Sequence, residues 1–529
     1  MIIYHAITTF HILKLTLHKL NYHKEDDAVL LVPTFLRRKS TGLKNITKDS
    51  IFKKVIFFDW DSKFSLIKDE VTLCDSIDRA MELELGKDWQ SKIREINVCS
   101  AAYSFGIYLC NKGLKFNWFE EADGRLSDPY PIMANDSTLV PLRYMWANKY
   151  GLYTAQSPII QKIYANMNRQ LDGYNANNVQ HYDVMEEMRT LSDSEKNQLL
   201  EFFDVPKDLE FPKNSVLLLT QHFHGLRMLT WEQHILCYQM MCDFYLSGYK
   251  IYCKWHPSDL MPYEDFLKIS GTISGNYPSE LISIVSPNNF SIGAAISTTG
   301  IGNLASMLDR ILLFDESYLK TYCDDIYYYD FLHIMKKLSI KEAVAIRANQ
   351  KQFDNMISFG EPNVNVKIAY LDDVQGIKKT DAYRIIFVMN CEDRVLVEDI
   401  KKLIKGRTSN DIFVFTSNHF ENIYDFIKDT PFTVHDIVLS AINDNIKEKS
   451  VYRTFVFSDN EDYLRRINEM KYEKELINTG IKIVADDSNR DIEIATLKGM
   501  LNVTEARMLQ YVEENKQLKQ TIAEISKKQ

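Results

Sequence analysis

The chain has 529 residues, 45% hydrophobic and 12% aromatic, which is more than a single core usually holds and enough to build two to four domains. Its formal net charge of -9 argues against a protein made mainly to hold nucleic acid and suits small-molecule or glycan substrates better. The eight cysteines fall singly, at Cys74, Cys99, Cys110, Cys237, Cys242, Cys253, Cys323 and Cys391; neither a disulfide framework nor a zinc site is expected, and a reducing cytoplasm is the natural compartment.

In chain order, the first twenty residues read as a strand (Ile2-Ile3-Tyr4, with Ala6-Ile7), a loop (Thr8-Thr9-Phe10-His11) and a periodic helix. They carry His5, His11, Lys14, His18 and Lys19, and so lack the unbroken apolar stretch of a signal peptide. No run of about 20 apolar residues occurs anywhere, so no transmembrane helix is predicted and any membrane association would be peripheral. Strands over 28–33 and 54–58, then apolar runs over 98–109 and 115–119, alternate with polar and helical stretches. That alternation predicts an α/β layer with a parallel sheet.

From 156 to 211 the composition turns polar and helical, and Pro206 and Pro212 punctuate its end, which predicts an interdomain connection. A second α/β unit opens with a buried-type strand over 215–220, followed by a helix over 230–246 and a strand over 250–255. Two Rossmann-like halves are the consequence. From 364 onward, strands over 367–371, 384–389, 411–416 and 453–457 predict a further small α/β domain to which no chemistry is assigned. The tail carries a heptad of Leu501, Thr504, Met508, Tyr511, Asn515, Leu518, Ile522 and Ile525, with Asn515 at an a-type position, and predicts a coiled coil that would make a homo-oligomer. The expected division is 1–210, 211–363, 364–490 and 491–529.

Three short segments carry candidate chemistry. Glu120-Glu121-Ala122-Asp123-Gly124 follows the apolar run ending at Phe119, so Glu121 and Asp123 should project from the carboxyl end of a strand, where ligands bind in open α/β sheets. Either carboxylate could take the proton of an acceptor hydroxyl. Lys254-Trp255-His256-Pro257 ends another strand, since proline cannot donate to a ladder, and offers His256 to a leaving phosphate with Lys254 adding positive charge. Ser297-Thr298-Thr299-Gly300 lies between a strand and a helix and offers hydroxyls and open backbone to an anion. Each alone is as well explained by an ordinary turn, loop histidine or helix cap.

Together these segments resemble bacterial sialyltransferases and polysialyltransferases of the GT-B type, as in glycosyltransferase families 52 and 38, whose acidic-Gly, His-Pro and Ser/Thr motifs run in this order. Thr8-Thr9-Phe10-His11 is similar to the T-P-Y-H opening of those enzymes; Thr220-Gln221 and Pro278-Ser279-Glu280-Leu281 extend the likeness, which covers about residues 1 to 330. The resemblance implies an α/β GT-B fold of two Rossmann-like domains facing a cleft, the first for the glycan acceptor and the second for the donor. It implies an inverting, metal-independent transferase that moves a sialic acid or related nonulosonate from a CMP-sugar to a glycan acceptor in bacterial surface polysaccharide synthesis, with no cofactor. Asp123 or Glu121 would be the base, His256 would act on the phosphate, and Ser297, Thr298, Thr299 and Gly300 would hold it beside Lys254, Pro257 and Gln221.

This sequence departs from the family pattern in three places. Asp123 is preferred as the base because it adjoins Gly124, but the acidic motif holds one extra residue; position 9 is Thr rather than Pro, and position 10 is Phe rather than Tyr. The part beyond 364 has no counterpart. Three alternatives stand beside this expectation. A same-fold transferase using CMP-linked Kdo or a CDP-linked polyol phosphate would keep the histidine and hydroxyls. A non-catalytic coiled-coil assembly protein would use the tail. Asp59-Trp60-Asp61 is the best metal candidate, and it suits a single-domain metal-dependent transferase rather than this two-halved layout.

Overall fold

In the computed structural model, β1 (Ile2–His5) and β2 (Ala28–Pro33) are buried at every residue, the pattern of parallel strands covered on both faces. The structure describes residues 1–346 apart from 169–177, 320–325 and scattered shorter breaks that include Asp123, Gly124 and Thr299; beyond 346 it describes 367–371, 385–389, 398, 402, 412–417, 433–438 and 453–472. The expected coiled coil over 491–529 lies outside the described residues.

β3 (Lys54–Phe58), β4 (Glu95–Cys99), β5 (Phe116–Phe119), β6 (Ile160–Ala165) and β7 (Val179–His181) complete a seven-stranded parallel sheet in the order β3-β2-β1-β4-β5-β6-β7. The winding reverses between β1 and β4. The apolar run over 98–109 turns out to be the end of β4 followed by a separate helix, Ser104–Lys112. The stretch expected to be an interdomain connection contributes β6 and β7, a correction with a plain cause. These outer strands mix buried and exposed residues and so lack the apolar run that marks a central strand.

β8 (Ser215–Leu219), β9 (Lys250–Lys254), β10 (Gly271–Ile273), β11 (Ile292–Ile296) and β12 (Ile311–Phe314) form a five-stranded sheet in the order β10-β9-β8-β11-β12. β8 is buried throughout and pairs in parallel with β9 and β11, so this sheet reverses its winding at β8. Met1–Gln221, Tyr249–Pro257 and Ser270–Leu313 form one compact unit that holds nearly all of both sheets. One core cluster within this unit runs from Tyr4 and Leu30 through Phe202 and Phe211 to Leu217, Ala295 and Leu304.

The second unit takes in His222–Gly248, Ser258–Ile269 and Phe314–Gln529. Its helix Trp231–Met240 gives way at Met241–Tyr245 to a π-helical turn, where one continuous helix was expected. Its sheet comprises β13 (Glu342–Ile346), β14 (Lys367–Leu371), β15 (Ile385–Met389), β16 (Ile412–Ser417), β17 (Thr433–Val438) and β18 (Arg453–Ser458), in the order β14-β13-β15-β16-β18-β17. This sheet starts one strand ahead of the expected boundary at 364. β13 is a short run directly after the helix Ile326–Leu338, and periodicity over so few residues does not separate strand from helix. No helix among the described residues is long and apolar enough to cross a membrane.

The first unit buries an ion pair. Arg143 donates to Asp136 at 2.7 Å with both side chains at most 8% exposed, Tyr153 donates to the other carboxylate oxygen at 2.8 Å, and the guanidinium lies 4.2 Å from the Tyr103 ring. Asp61 belongs to the same neighbourhood: Ser104 donates to it through both its N–H (2.9 Å) and its hydroxyl (2.6 Å). Burial pushes the Asp61 carboxyl up, and the Ser104 hydrogen bonds oppose this. Asp61 therefore anchors the start of a helix rather than presenting the carboxylate of an exposed D-x-D metal site. Replacing Arg143 with methionine strands the buried Asp136 carboxylate, and the expected loss is about 3–5 kcal/mol, read as a lower urea midpoint. Arg143→Met combined with Asp136→Leu should recover much of that loss.

Candidate active site

In a parallel sheet with helices on both faces, the loops on either side of a winding reversal diverge and leave a crevice at the strands' carboxyl ends. The first unit has two such reversals, and both open on one cavity of about 310 Å³, within the range of small-ligand sites. The loop after β1 contributes Thr8, Thr9 and Phe10, and the loop after β5 contributes Ala122. From the five-stranded sheet come Thr220 and Gln221 after β8, Lys254 to Pro257 at the end of β9, Tyr277 to Glu280 after β10, and Thr298, Gly300 and Asn303 after β11.

The loop after β1 is fixed by its own side chains. Thr8 caps the helix Thr9–Tyr22, its hydroxyl accepting from the His11 N–H at 3.2 Å. His11 Nδ1 accepts from the Ile7 N–H at 3.4 Å and lies 3.3 Å from Ser100 Oγ, which ties the β1 loop to the β4 loop. Burial, with Lys14 and His5 nearby, lowers its pKa to about 3, so this imidazole is neutral and serves as a brace. Lys14 reaches across to the Glu120 carbonyl at 2.8 Å, and the Glu120 carboxylate accepts from the N–H groups of Leu126 (2.9 Å) and Asn166 (3.4 Å). Glu120 thereby holds the acidic loop in place.

The structure brings most of the expected site residues together. Lys254, His256, Pro257, Gln221, Thr298 and Gly300 all line the cavity. The Thr220 hydroxyl accepts from the His256 N–H at 3.2 Å, and the Thr220 N–H donates to the Lys254 carbonyl at 3.1 Å, so the loops after β8 and β9 are set against each other. Glu121 instead lines a separate cavity of about 20 Å³ with Trp118, Pro129 and Tyr153. Asp123 and Thr299 lie outside the described residues. Ser297 is not part of the lining; it has a left-handed backbone (φ 47°), and its hydroxyl is buried without a partner among the described residues. The helix expected after it is a single turn, Gly300–Asn303, so the hydroxyls rather than an extended helix dipole distinguish this wall.

Lys254 supplies the unexpected chemistry. Its side chain is buried, and Nζ donates to the carbonyls of Ser274 and Tyr277, the latter at 2.8 Å, and lies 4.2 Å from the Tyr277 ring centroid. The turn carrying those carbonyls passes close beneath Trp255, since a Cβ on Gly275 would meet the Trp255 carbonyl at 2.8 Å. Glu280, also buried, accepts from Asn303 Nδ2 at 2.9 Å and from Ser279 Oγ at 3.2 Å, and burial pushes its carboxyl up. Burial lowers the Lys254 amine to about 7, with Glu280 working against the drop. Tyr277 and Asn303 were not expected at the site, and Glu280 was noted only as part of a motif. The usable signal was Lys254 itself, because a lysine on an otherwise buried strand needs acceptors close by.

No family model matches the chain, and no curated protein matches it. Similar solved structures include a UDP-GlcNAc 2-epimerase of Methanocaldococcus jannaschii with UDP-GlcNAc and UDP, at 10% identity over 60% of this chain and 91% of that one, TM-score 0.36. Spinosyn forosaminyltransferase SpnP shares 11% identity over 61% of this chain and 83% of its own, TM-score 0.34. UGT2 of Phytolacca americana shares 13% over 56% and 75%, TM-score 0.32.

The depressed Lys254 pKa has two consequences of opposite sign. Below about pH 7 the amine is charged in the cavity, and it loses that charge as the pH rises, so an anionic ligand such as CMP should bind more weakly at about pH 8.5 than at about pH 6.5. Over the same interval the unfolded chain keeps a proton that the folded chain releases, so stability should rise with pH. Calorimetric titration and urea unfolding of wild type against Lys254→Met check both trends, each of which the variant should flatten.

Proposed function

We propose that the chain is an inverting glycosyltransferase of GT-B type that transfers a sialic acid or related nonulosonate from a CMP-sugar to a glycan hydroxyl. The observation that carries this reading is the convergence of His256, Lys254, Thr298 and Gln221 on one cavity at two sheet reversals. A CMP ester leaves with a single phosphate. One lysine ammonium, one imidazole and a few hydroxyls and amides supply charge and donors of the right scale, without the divalent metal that a diphosphate often recruits.

In this reading the acceptor oxygen attacks the anomeric carbon while the bond from that carbon to the phosphate oxygen breaks. Asp123, preferred over Glu121 whose side chain lines the separate cavity, takes the acceptor proton, and His256 hydrogen-bonds or protonates the departing phosphate. Thr298 and Lys254 hold the phosphate, and Gln221, Pro257 and Gly300 shape the wall. Glu280 and Asn303 provide a fixed carboxylate and amide in the same cavity, suited to the ribose and base of the nucleotide. The proposed division of labour gives the acceptor to the half containing β1 to β7 and the donor to the half containing β8 to β12.

The deciding assay is CMP release from CMP-sialic acid by the full chain, with mixed glycan acceptors and with or without EDTA. Release that withstands EDTA and falls at least about 100-fold in His256→Ala and in Asp123→Ala supports the assignment. Release from CMP-linked Kdo or a CDP-linked polyol phosphate alone moves the chain to another donor class. No release from any of them, with CMP failing to bind, removes the catalytic reading.

A further inference from the structure

We propose that His18, His23 and Glu95 form a binding site for a divalent transition metal, zinc above all, at the amino ends of the strands of the seven-stranded sheet, away from the cavity. The inference is independent of the reading of that cavity. Each of the three side chains offers one ligand atom, and these atoms lie within 4.8 Å of one another. His23 Nε2 is 3.4 Å from Glu95 Oε1. Bonds of about 2.0–2.2 Å at tetrahedral angles separate ligand atoms by about 3.3–3.5 Å, so this pair already has the spacing, and the third atom needs to close by little more than about 1 Å. Two imidazoles and a carboxylate are a set that zinc takes with a fourth position open.

The outer contacts are those of a metal site. His23 Nδ1 is 3.2 Å from Asp26 Oδ2, the carboxylate-to-imidazole contact that orients a ligating ring and directs its other nitrogen to a metal. Asn117 donates to Glu95 Oε1 at 3.0 Å, and the Tyr4 hydroxyl is 3.2 Å from His18 Nδ1. His18 is buried, with Phe119 and Tyr164 each 5.1 Å away between ring centroids, so its ring direction is set by packing. Cations lie near, among them Lys19, whose Nζ donates to the His23 carbonyl at 2.7 Å. Arg94 is bound to Asp26 (2.8 Å through NH1) and also approaches His23 Nδ1 at 3.1 Å, while Lys162 acts on His18 through space. With a metal on Nε2, Nδ1 carries the proton to Asp26, and Arg94 remains paired with that carboxylate.

The location assigns a structural role. His18 lies on the helix Thr9–Tyr22, His23 is its C-cap, and Glu95 opens β4, so one ion would clamp the helix end to the sheet. The sites are separable because the cavity residues sit beyond the carboxyl ends of the strands, whereas Arg94 N–H bonds to the Met1 carbonyl at the opposite ends.

The test is titration of the metal-stripped full chain with Co²⁺, followed by competition with Zn²⁺. Wild type should bind one equivalent with visible d–d absorption of four-coordinate cobalt and should melt at a higher temperature when loaded. Glu95→Gln and His23→Gln should lose at least about tenfold in affinity, and Asp26→Asn should lose about tenfold through the outer contact alone. His256→Ala should bind cobalt as wild type does, whatever it does to donor turnover. Circular dichroism of the stripped variants establishes that they are folded. Equal cobalt affinity in wild type and folded Glu95→Gln and His23→Gln, or spectra dominated by sulfur-to-cobalt charge transfer from cysteine, would overturn the proposal.

Discussion

The site depends on the pairing of β1 with both β2 and β4, and of β8 with both β9 and β11. A chain that lays parallel strands on both sides of its starting strand must send successive crossovers to opposite faces, and the loops at the starting strand then part. Two sheets in one compact unit, each with such a parting, put Thr8 and Thr9 opposite His256 and Thr298 without a dedicated binding domain. The residues that line the cavity can then sit on short loops whose roots are fixed by buried ladders.

Holding the loops apart takes buried polar groups, and each of these is partnered. Lys14 braces the acidic loop through the Glu120 carbonyl, the Glu120 carboxylate receives two backbone N–H groups, and His11 joins the loops after β1 and β4 as a neutral ring. Lys254 does the same for the turn after β10. The difference lies in where they face. Glu120 and His11 are absent from the cavity wall, whereas Lys254 is part of it and holds its proton only up to about neutral pH. An amine poised in that way can serve both as a structural donor and as an adjustable charge for a bound anion.

Much of the architecture was legible where residue patterns are local. The strands 2–5, 28–33, 54–58, 215–219 and 250–254 were legible from their local residue patterns, and the alternation of strand and helix specified a parallel sheet. β6, β7 and β17 were not legible, because half-exposed or outer strands with polar residues lack a run to detect. At the site, the end of a strand followed by proline located His256 correctly, whereas nothing near Glu121 could reveal that its side chain lines a different cavity from Ala122. The gathering of His18, His23 and Glu95 was equally hidden, since it depends on which strand lies beside the helix that carries the two histidines.

The sequence alone determined the fold class, the strand ends and the residue types available for phosphate chemistry, because apolar periodicity, proline and glycine act within a few residues of themselves. Only the tertiary structure decided that Thr8, Lys254, Thr298 and Asn303 share a cavity, that Asp61 faces the core, and that Glu280 is buried beside a lysine. Strand order and crossover direction set those neighbours, and they are fixed by packing between segments hundreds of residues apart rather than by any pattern that one segment carries.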